Sequence, residues 1–188
     1  VSSALVINFS KMFKLLSKIF SVPKTIISVS QLSSEASKAD DKEYFEIGTK
    51  LDAKIKKMFN GSLAIRQVDA GSDGAALQEL VALGNSYYDV ERFGVHFVAS
   101  PKHADMLFVT GPVSRNMAEP LRRAYECTPD PKIVVAIGDD AIDGGIYKGS
   151  YAVYDGVDKV VPVHFKIPGD PPSPKAVMIA LLQILEAL

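Results

Sequence analysis

The run Ile133-Val-Val-Ala-Ile137, closed by Gly138, constrains this chain more than any other stretch. It is apolar without alternation and rich in β-branched residues. That pattern predicts a strand buried on both faces, the kind found in parallel sheets covered by helices. Directly after it the chain drops into Asp139, Asp140 and Asp143, then Gly144–Gly145. In open parallel sheets, ligands sit beyond the carboxyl ends of the strands, so chemistry is expected at this acidic turn. Two other turns share its design. Asp69-Ala-Gly-Ser-Asp73-Gly74 follows the strand-like Leu63–Val68, and Pro168-Gly-Asp170-Pro-Pro172 follows Val160–Ile167. All three turns are expected to converge on one carboxylate-rich site.

The rest of the chain supports the same architecture. From Ser62 onward, strand, turn and helix alternate. Strands are predicted at Leu63–Val68, Val95–Ala99, Met106–Thr110, Ile133–Ile137 and Val160–Ile167. Pro162 in the last of these suggests an edge position, because proline cannot donate to a ladder. Helices are predicted at Ala75–Leu83, at Asn116–Tyr125 with Ser114 as its cap, and at Pro174–Leu188. Short apolar strands alternating with helices imply an α/β fold with a parallel sheet flanked by helices.

Ahead of this region the character changes. Leu5, Phe9, Met12, Phe13, Leu16, Ile19 and Phe20 recur at helical spacing over residues 4–21, opposite a polar face with Lys11, Lys14 and Lys18. A basic face opposite Phe and Leu suits a membrane surface or a groove on a membrane subunit. Phe9, Lys11, Phe13, Lys14, Lys18 and Phe20 are the contact candidates. The plainer alternative is a helix packed on its own domain. The lysines also interrupt the apolar run a signal peptide would need. Residues 28–42 read as a polar, Ser-rich linker, and residues 43–59 as a second amphipathic helix with a lysine face in solvent. The expected division is therefore an amphipathic segment over 1–27, linker and helix over 28–61, and the sheet domain over 62–188.

Composition excludes several classes. A net charge of −1 over 188 residues supplies no basic field for nucleic acid. The single cysteine, Cys127, rules out an intramolecular disulfide and any site built from four cysteines of this chain. No apolar run approaches the roughly 20 residues of a membrane span. His96, His103 and His164 are scattered without metal-ligand spacing. Ser72 lacks the pattern of a nucleophile elbow, and Gly144–Gly145 has neither P-loop nor dinucleotide spacing. No complete catalytic constellation is visible.

Several strings carry a resemblance: Ile65-Arg-Gln-Val-Asp-Ala-Gly-Ser72, Tyr87-Tyr-Asp-Val-Glu-Arg-Phe-Gly94, Ala99-Ser-Pro-Lys-His-Ala-Asp105 and Val109-Thr-Gly-Pro-Val-Ser-Arg-Asn-Met-Ala118. Gly144-Gly-Ile-Tyr-Lys-Gly-Ser-Tyr151, Gly156-Val-Asp-Lys159 and Pro168-Gly-Asp-Pro-Pro172 continue it in order. Ser62–Leu188 resembles the small, cluster-carrying subunit of group 4 membrane-bound nickel–iron hydrogenases, related to the corresponding subunit of respiratory complex I. The resemblance implies a flavodoxin-like core. It also implies a place between a large catalytic-type subunit and membrane-arm subunits, on the cytoplasmic side.

The resemblance also implies one four-iron cluster held by a C-x-x-C pair and two single cysteines. The matching positions here are Asp73, Ala76, Asp140 and Asp170, and a further cysteine of the hydrogenase branch falls at Ile142. Iron–sulfur clusters need soft thiolates, whereas carboxylates favour hard cations. The expectation is that the cluster is absent, that no cofactor replaces it, and that the chain is a non-catalytic, structural subunit of a membrane-associated oxidoreductase complex. Two alternatives stay open: an electron-transfer subunit keeping a cluster by another route, and a carboxylate-metal regulatory module using Asp73, Asp140 and Asp170 with Asp139 or Asp143. The plainest reading of the aspartates is that they are solvated caps, Asp73 on the helix at Ala75 and the others on nearby amides. Arg92, Arg115, Arg122 and Arg123 lie in or near the resembling segments and are candidates for partner contact or for ordinary surface charge.

Overall fold

The structure, a computed structural model, describes residues 35–188. The contact candidates Phe9, Lys11, Phe13, Lys14, Lys18 and Phe20 lie outside the described residues.

Five strands form one parallel sheet: β1 (Leu63–Asp69), β2 (Val95–Phe97), β3 (Met106–Thr110), β4 (Ile133–Ile137) and β5 (Phe165–Ile167). Their order is β2-β1-β3-β4-β5, which is the flavodoxin-like order. The register pairs Ile65 with Met106, Met106 with Ile133, and Val135 with Phe165. β3 is buried along its whole length, apolar from Met106 to Val109 and closing on a buried Thr110. β5 is an edge strand of three residues. The wider expectation of Val160–Ile167 shortens because Pro162 removes a donor and the His164 ring takes up the ladder's work. Its Nδ1 accepts the Val134 N–H at 2.9 Å.

The helices are α1 (Glu35–Met58), α2 (Ala75–Leu83), α3 (Arg115–Cys127), α4 (Asp139–Asp143) and α5 (Pro174–Ala187). Side chains alternate across the sheet and so build two cores. On one face Ile65, Met106, Phe108, Val135 and Ile137 pack with Leu51 and Ile55 of α1, Leu80 and Leu83 of α2, and Val177 and Leu181 of α5. On the other, Leu107, Val109, Val134 and Ala136 pack with Ala118 and Leu121 of α3. Serine hydroxyls start two helices. Ser114 Oγ accepts from Met117 N–H and Ser173 Oγ from Ala176 N–H, both at 3.3 Å. Each satisfies an amide that a helix start leaves open.

Two boundaries differ from expectation. The polar stretch over 28–42 is helical from Glu35 on, where α1 begins. The compact unit of the sheet runs from Glu43 to Leu188, so the second amphipathic helix belongs with the sheet rather than with a linker before residue 62. Leu51 and Ile55 are fully buried, and each such side chain contributes about 1.5–3 kcal/mol. No described helix is long and apolar enough to cross a membrane.

Candidate functional site

Parallel pairing puts the carboxyl ends of β1, β3, β4 and β5 on one edge, and the three acidic turns meet there. A small recess of about 230 Å³, including its open mouth, is lined by Ser72, Asp73 and Ala76 from one turn and Gly111 from the next. Gly138, Asp139 and Asp140 line it from the third, and Gly169, Asp170 and Pro171 from the last. All four positions that the resemblance assigns to cluster cysteines therefore border one space.

Backbone bonds hold the turns together. Asp69 Oδ1 accepts from Gly71 N–H, Ser72 N–H and the Ser72 hydroxyl, each at 3.0 Å. Gly138 N–H donates to Ile167 O at 2.9 Å, and Asp139 N–H to Gly169 O at 3.0 Å. Gly169 N–H returns a bond to Asp139 Oδ1 at 2.9 Å. The turns also touch. A Cβ on Gly111 would lie 2.5 Å from Ser72 N, which explains why that position has no side chain. Asp69 thus shapes the site from a position that the search for ligands passed over, and Asp139, an assisting candidate, serves here as a hydrogen-bond acceptor. The signal was present in the Asp-x-Gly-Ser spacing, which is that of a carboxylate folding back on the amides after it.

The aspartates differ in their environments. Asp73 is exposed, and its Oδ1 accepts the Ala75 N–H at 2.8 Å from one residue ahead of Gly74, which takes the cap position itself. Asp170, which also lines the recess, is exposed as well. Asp140 lies below them, 8% exposed, and its Oδ1 has no hydrogen-bond partner. Burial pushes its carboxyl above the usual carboxylate range. The charges of Asp170, Asp73 and Asp139 push the same way, while the Ile146 N–H pulls it back. Ala76 contributes a methyl group, and a Cβ on Gly138 would lie 3.6 Å from it. Among the described residues, no group of three His, Cys, Asp or Glu side chains is arranged to hold a metal ion.

Other candidates are accounted for locally. Asp143 is salt-bridged to Lys148 at 3.0 Å, which holds its carboxyl below the usual range. Arg122 and Arg123 pair with Glu119, and Arg92 lies over the rings of Phe45 and Phe93. Arg115 bonds Tyr151 O and lies over the Tyr154 ring, anchoring the loop after α4. That loop leaves Ile146 77% and Tyr151 89% exposed. Cys127 is exposed at the end of α3, away from the turns that build the recess.

Residues 74–184 match the family described as the NADH ubiquinone oxidoreductase 20 Kd subunit. This chain belongs to that family. The match begins one residue after Asp73 and takes in Ala76, Asp140 and Asp170. Relatives similar to this chain are known from other organisms. An uncharacterised protein of Methanocaldococcus jannaschii is 43% identical over 131 residues, covering 69% of this chain and 88% of that protein. Formate hydrogenlyase subunit 7 of Escherichia coli is 39% identical over 138 residues, covering 73% of this chain and 54% of its own length. This chain therefore spans about half of that relative. A chain in the structure of the membrane-bound sulfane sulfur reductase, an archaeal respiratory membrane complex, superposes with a TM-score of 0.60 at 36% identity. That match covers 72% of each chain.

Proposed function

We propose that this chain is a subunit of a membrane-associated oxidoreductase complex of the hydrogenase/complex I type, that it carries no iron–sulfur cluster, and that its role there is structural. One observation carries the cluster-free reading: the recess offers three carboxylates and a methyl group where the family places four thiolates. Carboxylates are hard ligands and iron–sulfur clusters need soft ones. One carboxylate, Asp73, is already committed to the amide of Ala75. An iron next to Ala76 would have no protein ligand. The family's usual cofactor does not fit these residues.

The partners in this reading are a large catalytic-type subunit and membrane-arm subunits. The exposed Ile146 and Tyr151, on a loop that starts directly after α4, offer apolar side chains suited to a subunit contact. The basic, amphipathic residues 4–21 favour peripheral attachment to the membrane or a membrane subunit. The names of the relatives, a hydrogenlyase subunit and a respiratory membrane complex, support the same setting.

The test is chemical. The full chain is reconstituted anaerobically with iron and sulfide, and both are measured together with the low-temperature electron paramagnetic resonance spectrum. The expected outcome is no stoichiometric cluster. Four irons and four sulfides per chain would restore an electron-transfer role and end this reading.

A further inference from the structure

The last turns of α1 and α5 lie toward the edge of the sheet opposite the recess. α1 leads into the start of β1, and α5 begins past the carboxyl end of β5 and runs back. Between them is an open groove of about 590 Å³, including its mouth. Lys50, Ala53, Lys54 and Lys57 line it from α1, and Leu182 and Glu186 from α5. We propose that this groove is the docking site for an acidic amphipathic helix of a partner subunit. The proposal rests on the reading of the chain as a subunit of a larger complex, and not on the absence of a cluster.

Charge carries the argument. Other lysines of these two helices are paired, Lys56 with Asp52 and Lys175 with Glu43, both at 2.7 Å. Lys50, Lys54 and Lys57 make no ion pair among the described residues. Three cations thus share a groove with one carboxylate, Glu186. At i, i+4 and i+7 the lysines fall on one face of α1. They spread over about 10 Å of helix axis, at 1.5 Å per residue. A row of that length matches carboxylates recurring along one face of a second helix. A single phosphate is too small to meet all three, and a flat bilayer surface would leave the floor of the groove unfilled.

The floor is apolar. Ala53 is exposed and small, and leaves room between the two helices. Leu182 is half-buried and packs on the core from outside. The lysine stems are apolar as well and can cover an occupant while their heads stay in water. The occupant therefore needs Leu- or Ile-like side chains toward Ala53 and Leu182, Asp or Glu toward the three lysines, and Lys or Arg toward Glu186. This is recognition of a helix in a groove, where apolar anchors hold and charges set register and partner choice. The place of the groove fits a joining role. A partner seated here leaves the carboxyl edge of the sheet, with its recess, open to a second partner.

The experiment is cross-linking of the complex purified through a tag on the full chain. A water-soluble carbodiimide joins lysine amines to carboxylates that touch them. The expected result is Lys50, Lys54 or Lys57 joined to Asp or Glu of another chain, in a segment whose acidic and apolar residues recur at helical spacing. Recovery of that partner should fall by about tenfold or more in Lys50→Glu/Lys54→Glu/Lys57→Glu, and likewise in Ala53→Trp, which plugs the groove without changing its charge. Should the charge-reversed variant not fold, Lys50→Gln/Lys54→Gln/Lys57→Gln gives the same readout. Links only to carboxylates of this chain, or unchanged recovery in the variants, overturn the proposal. Sedimentation of the purified chain with phosphatidylserine vesicles, lost in the lysine variants, overturns it in favour of an anionic membrane surface. Co-purifying subunits without links to the three lysines sink the groove alone, whereas a chain that purifies with no other subunit sinks the reading as a complex subunit as well.

Discussion

The carboxylate of Asp140 occupies the space that a side chain at position 145 would need. Gly145 has φ of +47°, and a Cβ built there collides with Asp140 Oδ1. The glycine is therefore a requirement of the buried acid as much as of the turn. Gly145→Ala should destabilise the chain by about 1–3 kcal/mol, since both strain and collision act on it. Urea unfolding of the full chain measures this. In the double variant Asp140→Ala/Gly145→Ala, the collision is absent and part of the loss should return. Strictly additive losses would show that the two residues do not interact.

The second prediction concerns Tyr44 on α1. Its hydroxyl donates to Tyr88 O at 3.0 Å, and burial pushes its phenol up to about 12. The unfolded phenol titrates near 10. A raised folded value means that the contribution of Tyr44 to stability is complete below pH 10 and is lost as the pH rises toward 12. Ultraviolet titration should show one tyrosine ionising late, coincident with alkaline unfolding. Tyr44→Phe should remove that late step, and an unchanged titration curve would reject the assignment.

The third prediction follows from the way α1 joins the sheet. Leu51 is fully buried among residues of the sheet face that α2 and α5 also cover. Leu51→Ala should cost about 2–5 kcal/mol in equilibrium unfolding. A chain beginning at Ser62 should fail to give a cooperative transition, because it exposes the apolar surface that Leu51 and Ile55 cover. Cooperative melting of that shortened chain at the full-length temperature would contradict the packing.

The fourth prediction tests the turn that carries Asp73. Asp69 Oδ1 accepts three hydrogen bonds from Gly71 and Ser72. Asp69→Ala should lower stability by roughly 1–3 kcal/mol, the cost of leaving such groups unsatisfied. Asp69→Asn keeps the acceptor oxygen and should recover most of the loss. Equal losses in both variants would mean that the charge, not the hydrogen-bonding geometry, is what matters.

Much of the fold was legible because its signals are local. The apolar runs Met106–Val109 of β3 and Ile133–Ile137 of β4 announce strands with two covered faces, and Ser114 announces the start of α3. The meeting of Asp73, Asp140 and Asp170 was legible for a topological reason: parallel strands send their following turns to one edge. What separated those aspartates was not legible. Asp73 and Asp140 have the same side chain in similar Gly-rich turns, yet one is exposed and accepts the Ala75 amide, while the other is buried with its Oδ1 unpaired. That difference depends on depth, which is set by long-range packing. The place of α1 was hidden for a related reason. Its lysine face read as solvent-facing, correctly, but nothing local says that its other face completes the sheet's core. The shortening of β5 arises from His164, whose ring substitutes for a backbone acceptor across the sheet.

The turns around the recess are fastened to one another by main-chain bonds, Gly138 to Ile167, Asp139 to Gly169 and Ser114 to Ala70. None of these bonds depends on what the side chains at positions 73, 76, 140 and 170 are. The frame and its contents are separable. The frame therefore tolerates a change of contents, from thiolate to carboxylate or methyl, without being redesigned.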